Sequence, residues 1–282
     1  MAVLFAFLAA FGFAMASVGQ QRVASAVPSR HALRVGLLVQ LVANWRWLVA
    51  TTIDFASFVL EGIALNFGSL VLVQALLPSS LLFALPVSAK LVGRRLSRSE
   101  WLGAIGVAAG ITMFLVAAAP SEGRSDAPAV TWLVLVGIIL SLVVVLVATG
   151  LRSSSSALTS GCWATAGAVT YAFMAAATKS LVGLLGDGLG VALSSWQPYA
   201  VVLSAVLGTV LIQSAFQAGS LSASMPLMVM IEPISGALIG SIVLQEQINR
   251  GPIHIAVMAL AMASMLVGVV TLSRSPLARY IA

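Results

Sequence analysis

The chain has 282 residues, of which 60% are hydrophobic and 8% charged, with a mean hydropathy of +1.09. A soluble domain carries ~25% charged residues, so these figures exclude a soluble enzyme, a disordered chain and a collagen-like fibre. The net charge of +6 comes from basic residues that sit between apolar runs, as membrane orientation requires, and nucleic acid is not expected as a partner.

A membrane helix needs ~20 mainly apolar residues. Nine such runs are present, at 2–20, 46–67, 70–91, 101–118, 131–149, 158–180, 199–217, 221–244 and 253–273. They are continuously apolar, so they predict helices rather than the alternating strands of a barrel. The first run contains Ala14-Met15-Ala16, which fits a signal-peptide cleavage pattern. No Lys or Arg precedes Arg22, however, and the run is read as a retained helix.

The next segment, 31–44, is 14 residues long with Arg34 inside it. It reads either as a short tenth span or as a helix lying in the interface. Charge placement favours nine spans. With the N-terminus outside, Arg22, Arg30, Arg34, Arg46, Lys90, Arg94, Arg95, Arg98, Arg152, Arg274 and Arg279 fall inside, against Arg124, Lys179 and Arg250 outside, or 11 against 3. A spanning 31–44 moves Arg22, Arg30 and Arg34 across and leaves 8 against 6. The expected location is therefore a membrane of the bacterial cytoplasmic type, with the N-terminus outside and the C-terminus in the cytoplasm.

In the run 46–67, Asp54 and Glu61 stand seven residues apart, about two helical turns, with Ser57 between them on the same face. Ionisable groups within a bilayer are expensive and mark function by default. Two acids on one stripe can hold a cation or relay protons; the plainer alternative has Asp54 near the cytoplasmic side, wetted or paired with Arg46. The run 70–91 follows the turn at Gly68, carries Gln74, Pro78 and Pro86, and ends at Lys90 beside the basic loop Gly93-Arg94-Arg95-Leu96-Ser97. Lys90, and Lys179 at the end of 158–180, are expected to snorkel to the interface. Cys162 is the chain's one cysteine, which excludes an internal disulfide, and it reads as a packing residue.

Gln213 and Gln217 share a face of the run 199–217, and Asn66 and Gln74 are their approximate counterparts earlier in the chain. These amides either line a substrate path or serve as interhelical hydrogen bonds. In the run 221–244, Glu232 directly precedes Pro233. Proline removes a backbone N–H and frees a carbonyl one turn earlier, and an acid beside a broken helix is how secondary transporters build a midplane site. The plainer alternative is a packing step. Pro78, Pro226 and Pro233 are the hinge candidates. No spacing of His, Cys, Asp or Glu suggests zinc or a catalytic dyad, so no catalytic residue, cofactor or particular metal is assigned and an enzyme is not expected.

The chain also repeats itself. Gly68-Ser69-Leu70 recurs as Gly219-Ser220-Leu221, each preceded by an amide and followed by a proline-containing run, a polar loop and a terminal apolar run. In the nine-span arrangement the two copies face opposite ways, as in inverted-repeat transporters. The predicted fold is thus an all-α polytopic membrane protein of nine helices, with a tenth left open. Residues 1–118 form the first inverted repeat, 119–130 a polar connector and 131–282 the second repeat.

Met230-Ile231-Glu232-Pro233-Ile234-Ser235-Gly236-Ala237-Leu238, followed by Leu244-Gln245-Glu246-Gln247-Ile248, resembles the EamA-type repeat of the drug/metabolite transporter superfamily. That pattern has an apolar-Glu-Pro step and a Leu-Gly-Glu-Arg-like helix end, for which Gln245 replaces the Gly and Gln247 the Arg. In the first copy, Val92-Gly93-Arg94-Arg95-Leu96 keeps the Gly and Leu and places Arg94 at the Glu position, without the Glu-Pro step. The first half is similar to the NIPA-type magnesium transporters in its long amphipathic segment and in the stretch from Ala64 to Ala89 leading to Gly93. Its Glu61 and Asn66-Phe67 depart from the Gly-Glu-x-x-Asn-Phe spacing of that branch. The resemblance spans most of the chain and implies a substrate-translocating protein that ATP does not drive.

Asp54, Glu61 and Glu232 give the interior three acids and no clearly buried base. This balance favours a small cation, a proton-coupled solute or a cationic or neutral metabolite, bound where 46–67 and 70–91 face 199–217 and 221–244. The expected partners are a small-molecule or ion substrate, the lipid bilayer and a coupling proton or cation, with a homodimer left open. A lipid or lipid-linked sugar translocase, using Lys90 and Arg94–Arg98 on the headgroup, and a non-transporting scaffold are the alternatives.

Overall fold

A computed structural model describes residues 1–24, 43–91, 93–219 and 221–274. The segment 31–44 lies outside the described residues except for its last two positions, as do Arg30, Arg34, Ser220 and Arg279. The helices are α1 (Ala2–Ala24), α2 (Trp45–Asn66), α3 (Leu70–Leu76), α4 (Ser80–Leu91), α5 (Arg98–Ala118), α6 (Ala129–Arg152), α7 (Ser156–Leu185), α8 (Leu189–Ser194), α9 (Gln197–Ala218), α10 (Leu221–Ile242) and α11 (Pro252–Ser273). A 3-10 turn over Leu77–Ser79 joins α3 to α4, so that the two cross as one span. Nine spans long and apolar enough to cross a membrane result among the described residues, at the nine predicted places.

Local chemistry sets the ends. Ser97 and Glu100 form a capping box at α5, Ser69 caps α3 and Ser155 caps α7. Pro78 lies within the 3-10 turn, where its missing N–H interrupts the α-helical ladder. By contrast, α10 stays continuous through Pro226 and Pro233. The break expected beside Glu232 therefore falls in the other proline-containing span.

The helices pair through small residues, which let backbones approach in the absence of a hydrophobic drive between helices in lipid. Antiparallel α1 and α2 meet at Gly12 against Ser57 and at Gly19 against Ala50. Antiparallel α7 and α9 meet at Gly167 against Ile212 and at Gly208 against Tyr171. The pair α5–α11 is closed by Gly103, Gly106 and Gly110 facing Gly268, Ser264 and Ala261, and the Ser264 hydroxyl donates to the Gly106 carbonyl at 3.0 Å. At the centre stands α7, packed on α6, α9, α10 and α2. It is the least apolar and most buried of the nine spans, whereas α6 is the most apolar and least buried. Lipid sorts the helices this way because residual polarity is satisfied only inside the bundle.

The start of α1, the α2–α3 turn, the connector, the end of α7 and the α10–α11 loop share one end of the bundle. Ala2 abuts Gly68, and Phe5 stacks on Phe67 with ring centroids 6.2 Å apart. The connector is sewn to the α10–α11 loop: Ser121 N–H donates to Gln247 at 3.0 Å, Arg124 N–H to Leu244 at 2.7 Å and Asn249 N–H to Ala118 at 2.9 Å. Its Asp126 accepts from Trp132 Nε1 at 2.8 Å and from Ser180 at 2.7 Å. A methyl group on Gly123 would meet the Leu244 carbonyl and the Glu246 amide, both of them backbone. Gly123→Ala is therefore expected to cost about 1–3 kcal/mol, the usual range for overpacking, read as a lowered Tm of the purified protein in detergent.

Candidate functional site

Four of the residues singled out from the sequence converge: Asp54, Glu61, Gln74 and Glu232. Asp54 and Glu61 project from α2 and Glu232 from α10, and the three carboxyl groups lie within electrostatic reach of one another. Glu61 is buried and accepts a hydrogen bond from Gln74 Nε2 of α3 at 3.0 Å. Gln74 is itself fully buried and packs where α10 presents Gly236, one turn beyond Glu232. Asp54 lies beside Gln20 of α1, whose Nε2 donates to Thr51 at 3.4 Å. Glu232 is half-buried midway along α10 and receives no hydrogen bond among the described residues. A carboxyl group so placed, at the middle of an apolar span, is costly in a bilayer and marks a candidate site.

Tyr171 of α7 completes the cluster. It stands within electrostatic reach of Asp54 and Glu232, its ring lies over Gly208, and its hydroxyl pairs with Thr209 of α9 at 3.1 Å. Sequence reasoning missed it, although a Tyr in the middle of a span, away from the interfacial belts where Tyr is ordinarily enriched, is a usable signal. The Tyr171–Thr209 contact is a partly buried neutral hydrogen bond, ordinarily worth about 0.5–1.5 kcal/mol. Tyr171→Phe and Thr209→Val are each expected to lower thermal stability by that amount, and the double variant by no more than either single one. Additive losses in the double-mutant cycle would show that the two groups act independently.

The remaining candidates are spread out. Gln213 and Gln217 follow Thr209 at four-residue steps along α9 and extend the polar stripe away from Tyr171. Gln213 is buried, and among the described residues its Oε1 has no hydrogen-bond partner, as is also true of Gln74 Oε1 and Ser79 Oγ. Asn66 is exposed at the end of α2, apart from the acids. Pro226 is buried and Pro233 half-buried within the continuous α10. The facing of the spans differs from expectation for α2, which packs on α1 and α7; α3 meets α10.

Lys179 corrects two expectations. It does not snorkel, and the interior does hold a base. The helix expected to stop at residue 180 continues to Leu185, which leaves Lys179 inside the bundle and 8% exposed. Its Nζ donates to the Gly68 carbonyl at 2.6 Å and lies 3.3 Å from Glu246 Oε1. Glu246 in turn accepts from Leu70 N–H at 2.6 Å and from Val71 N–H at 2.9 Å, through its two oxygens. It is a buried acid too, placed at the start of α3, where the helix dipole favours a negative charge. Gln245, at φ 54, takes the left-handed turn that ends α10 and brings Glu246 back against Gly240. Among the described residues, no three His, Cys, Asp or Glu side chains are grouped to hold one metal ion.

Nine apolar spans among the described residues, around a charged interior, define a polytopic α-helical integral membrane protein. The chain is 32% identical over 280 residues to the uncharacterized protein Cgl0250/cg0304 of Corynebacterium glutamicum, covering 98% of this chain and 95% of that one, and it belongs to the same family. No protein-family model matches the chain, and no solved structure matches it.

Proposed function

We propose that the protein is a secondary transporter of the drug/metabolite transporter type, moving a small cation or a cationic or neutral metabolite by alternating access. The observation that carries this reading is Glu232: a half-buried carboxyl group in the middle of a span, with Asp54 and Glu61 of α2 and Tyr171 of α7 within electrostatic reach. Uncompensated acids in a low-dielectric interior favour a cationic occupant or a proton.

Internal symmetry supports the reading. The pair α1–α2 corresponds to α7–α9, α1 lies on α3–α4 as α7 lies on α10, and α5 pairs with α11. Gly93 after α4 and Gln245 after α10 both take left-handed backbone conformations. On this reading the repeat unit has four spans, with α6 added outside the second copy, and the acids sit where the copies meet. We place the end that carries Arg124, Lys179 and Arg250 outside. The opposite end holds Arg46, Lys90, Arg94, Arg95, Arg98, Arg152 and Arg274 among the described residues, as the positive-inside rule asks of the cytoplasmic face.

The test is flux into proteoliposomes across a panel of Mg²⁺, monovalent cations, organic amines and neutral metabolites, with and without a pH gradient. Saturable uptake of at least one compound is the expected result. Purified, folded protein that moves nothing across a broad panel counts against transport and favours the scaffold reading.

A further inference from the structure

One buried charge cluster plays no part in the acid site. Lys179, Glu246 and the α2–α3 turn are joined at one end of the bundle by four contacts: Lys179 Nζ to the Gly68 carbonyl at 2.6 Å, Lys179 Nζ to Glu246 Oε1 at 3.3 Å, and the two Glu246 oxygens to Leu70 N–H at 2.6 Å and Val71 N–H at 2.9 Å. The groups come from three separate places in the chain. Glu246 belongs to the loop after α10, Lys179 to the central helix α7, and the amides to the first turn of α3. All are buried, and Gly240 leaves the space that the Glu246 carboxyl group occupies.

Energetic reasoning argues against stability as the cluster's main use. A buried ion pair gains little over an apolar pair of the same shape, because desolvating both charges offsets their attraction. What such a pair does supply is a discrete on-or-off connection between elements. The element it grips is the short helix α3, which the 3-10 turn over Leu77–Ser79 separates from α4. That turn is a place where the span can bend without disturbing α4. One turn in from the clip, Gln74 holds Glu61, so movement of α3 is coupled directly to the acid site.

We propose that Lys179 and Glu246 form a charge lock that closes this end of the transport path by pinning the first turn of α3 to the second half of the molecule. Release of the lock lets α3 swing about the 3-10 turn and exposes the layer of Gln74 and Ser79 from that side. The opposite end is built differently. There, the loop after α4 carries Arg94 and Arg95 where the other copy has Glu246 and Gln247, and its nearby acid, Glu100, binds the Ser97 N–H of its own helix start at 2.7 Å and lies 3.9 Å from Arg94, both in the first half of the chain. The lock rests on the transport reading for the meaning of an open path, and its test on the orientation proposed with that reading.

The test uses the full-length protein with Cys162→Ala to clear the one native thiol, and Ser79→Cys as a reporter at the bend. Cells expressing it are treated with a membrane-impermeant maleimide that reaches only the end bearing Lys179. Glu246→Gln and Lys179→Met are each expected to speed labelling at position 79 by about tenfold or more, the shift produced by losing one charge-assisted hydrogen bond. The double variant should be no faster than the quicker single one. Because it removes both charges, it also avoids the lone buried charge that destabilises single variants, and it gives the reading if either single variant fails to fold. Labelling of the folded double variant at the unmodified rate overturns the lock. Faster labelling in a protein that transports nothing would keep the lock and reject the transport reading.

Discussion

Glu232→Gln is expected to lower substrate flux by about tenfold to a hundredfold, the equivalent of the ~1.5–3 kcal/mol that a hydrogen bond to a charged group ordinarily contributes. The substitution keeps the size and shape of the side chain, and Glu232 receives no hydrogen bond among the described residues that it would break. The protein should therefore reach the membrane and elute from size exclusion as the parent does. Glu61→Gln is expected to act in the same direction but with some loss of stability, because its carboxylate is the acceptor for Gln74 at 3.0 Å. Flux from Glu232→Gln equal to that of the parent would remove Glu232 from the site and, with it, the main support for cation recognition. The proteoliposome assay decides this with the same panel of solutes for parent and variant.

The second large effect is structural and falls far from the acids. Gly268 lies so close to α5 that a Cβ there would sit 2.6 Å from the Gly103 carbonyl oxygen and 2.9 Å from the Val107 amide. Both are backbone atoms, so no rotamer change relieves the clash and the helices must separate. Gly268→Leu is expected to cost at least about 3 kcal/mol, the top of the usual overpacking range, and to lower the yield of monodisperse protein sharply. The separation would also remove the hydrogen bond from Ser264 to the Gly106 carbonyl, which measures 3.0 Å. A control at Gly137, where a Cβ would meet nothing within 4 Å, should behave as the parent. If Gly268→Leu melts as the parent does, the close crossing of α5 and α11 is not the interface described.

Particular residues show what could be read in advance. The nine spans were legible because a bilayer demands ~20 apolar residues in succession, and a run of that kind is visible without any partner. Asp54, Glu61 and Glu232 were legible for the complementary reason, since charge inside such a run is rare. Lys179 was misread because an apolar run can be ended at its last polar residue, whereas the helix continues through Leu181 and Val182 to Leu185. Glu246 was seen as part of a polar loop. Its role depends on a backbone 175 residues earlier in the chain, at Val71, which no local pattern reveals. Tyr171 was passed over because an aromatic residue in an apolar run ordinarily packs.

By itself, then, the sequence determined the solvent, the class of fold and the places of nine apolar runs long enough to span. Each of these follows from the cost of placing polar groups in hydrocarbon, which acts on one segment at a time. Only the tertiary structure decided that α2 faces α7, that the bend falls at Pro78 while α10 stays continuous, and that a lysine and a glutamate 67 positions apart close on one another at 3.3 Å. Helical periodicity states which residues share a face, but every face in so apolar a chain fits lipid almost as well as it fits another helix. The choice between them is made by close backbone approach at small residues and by buried hydrogen bonds, and both depend on two segments at once.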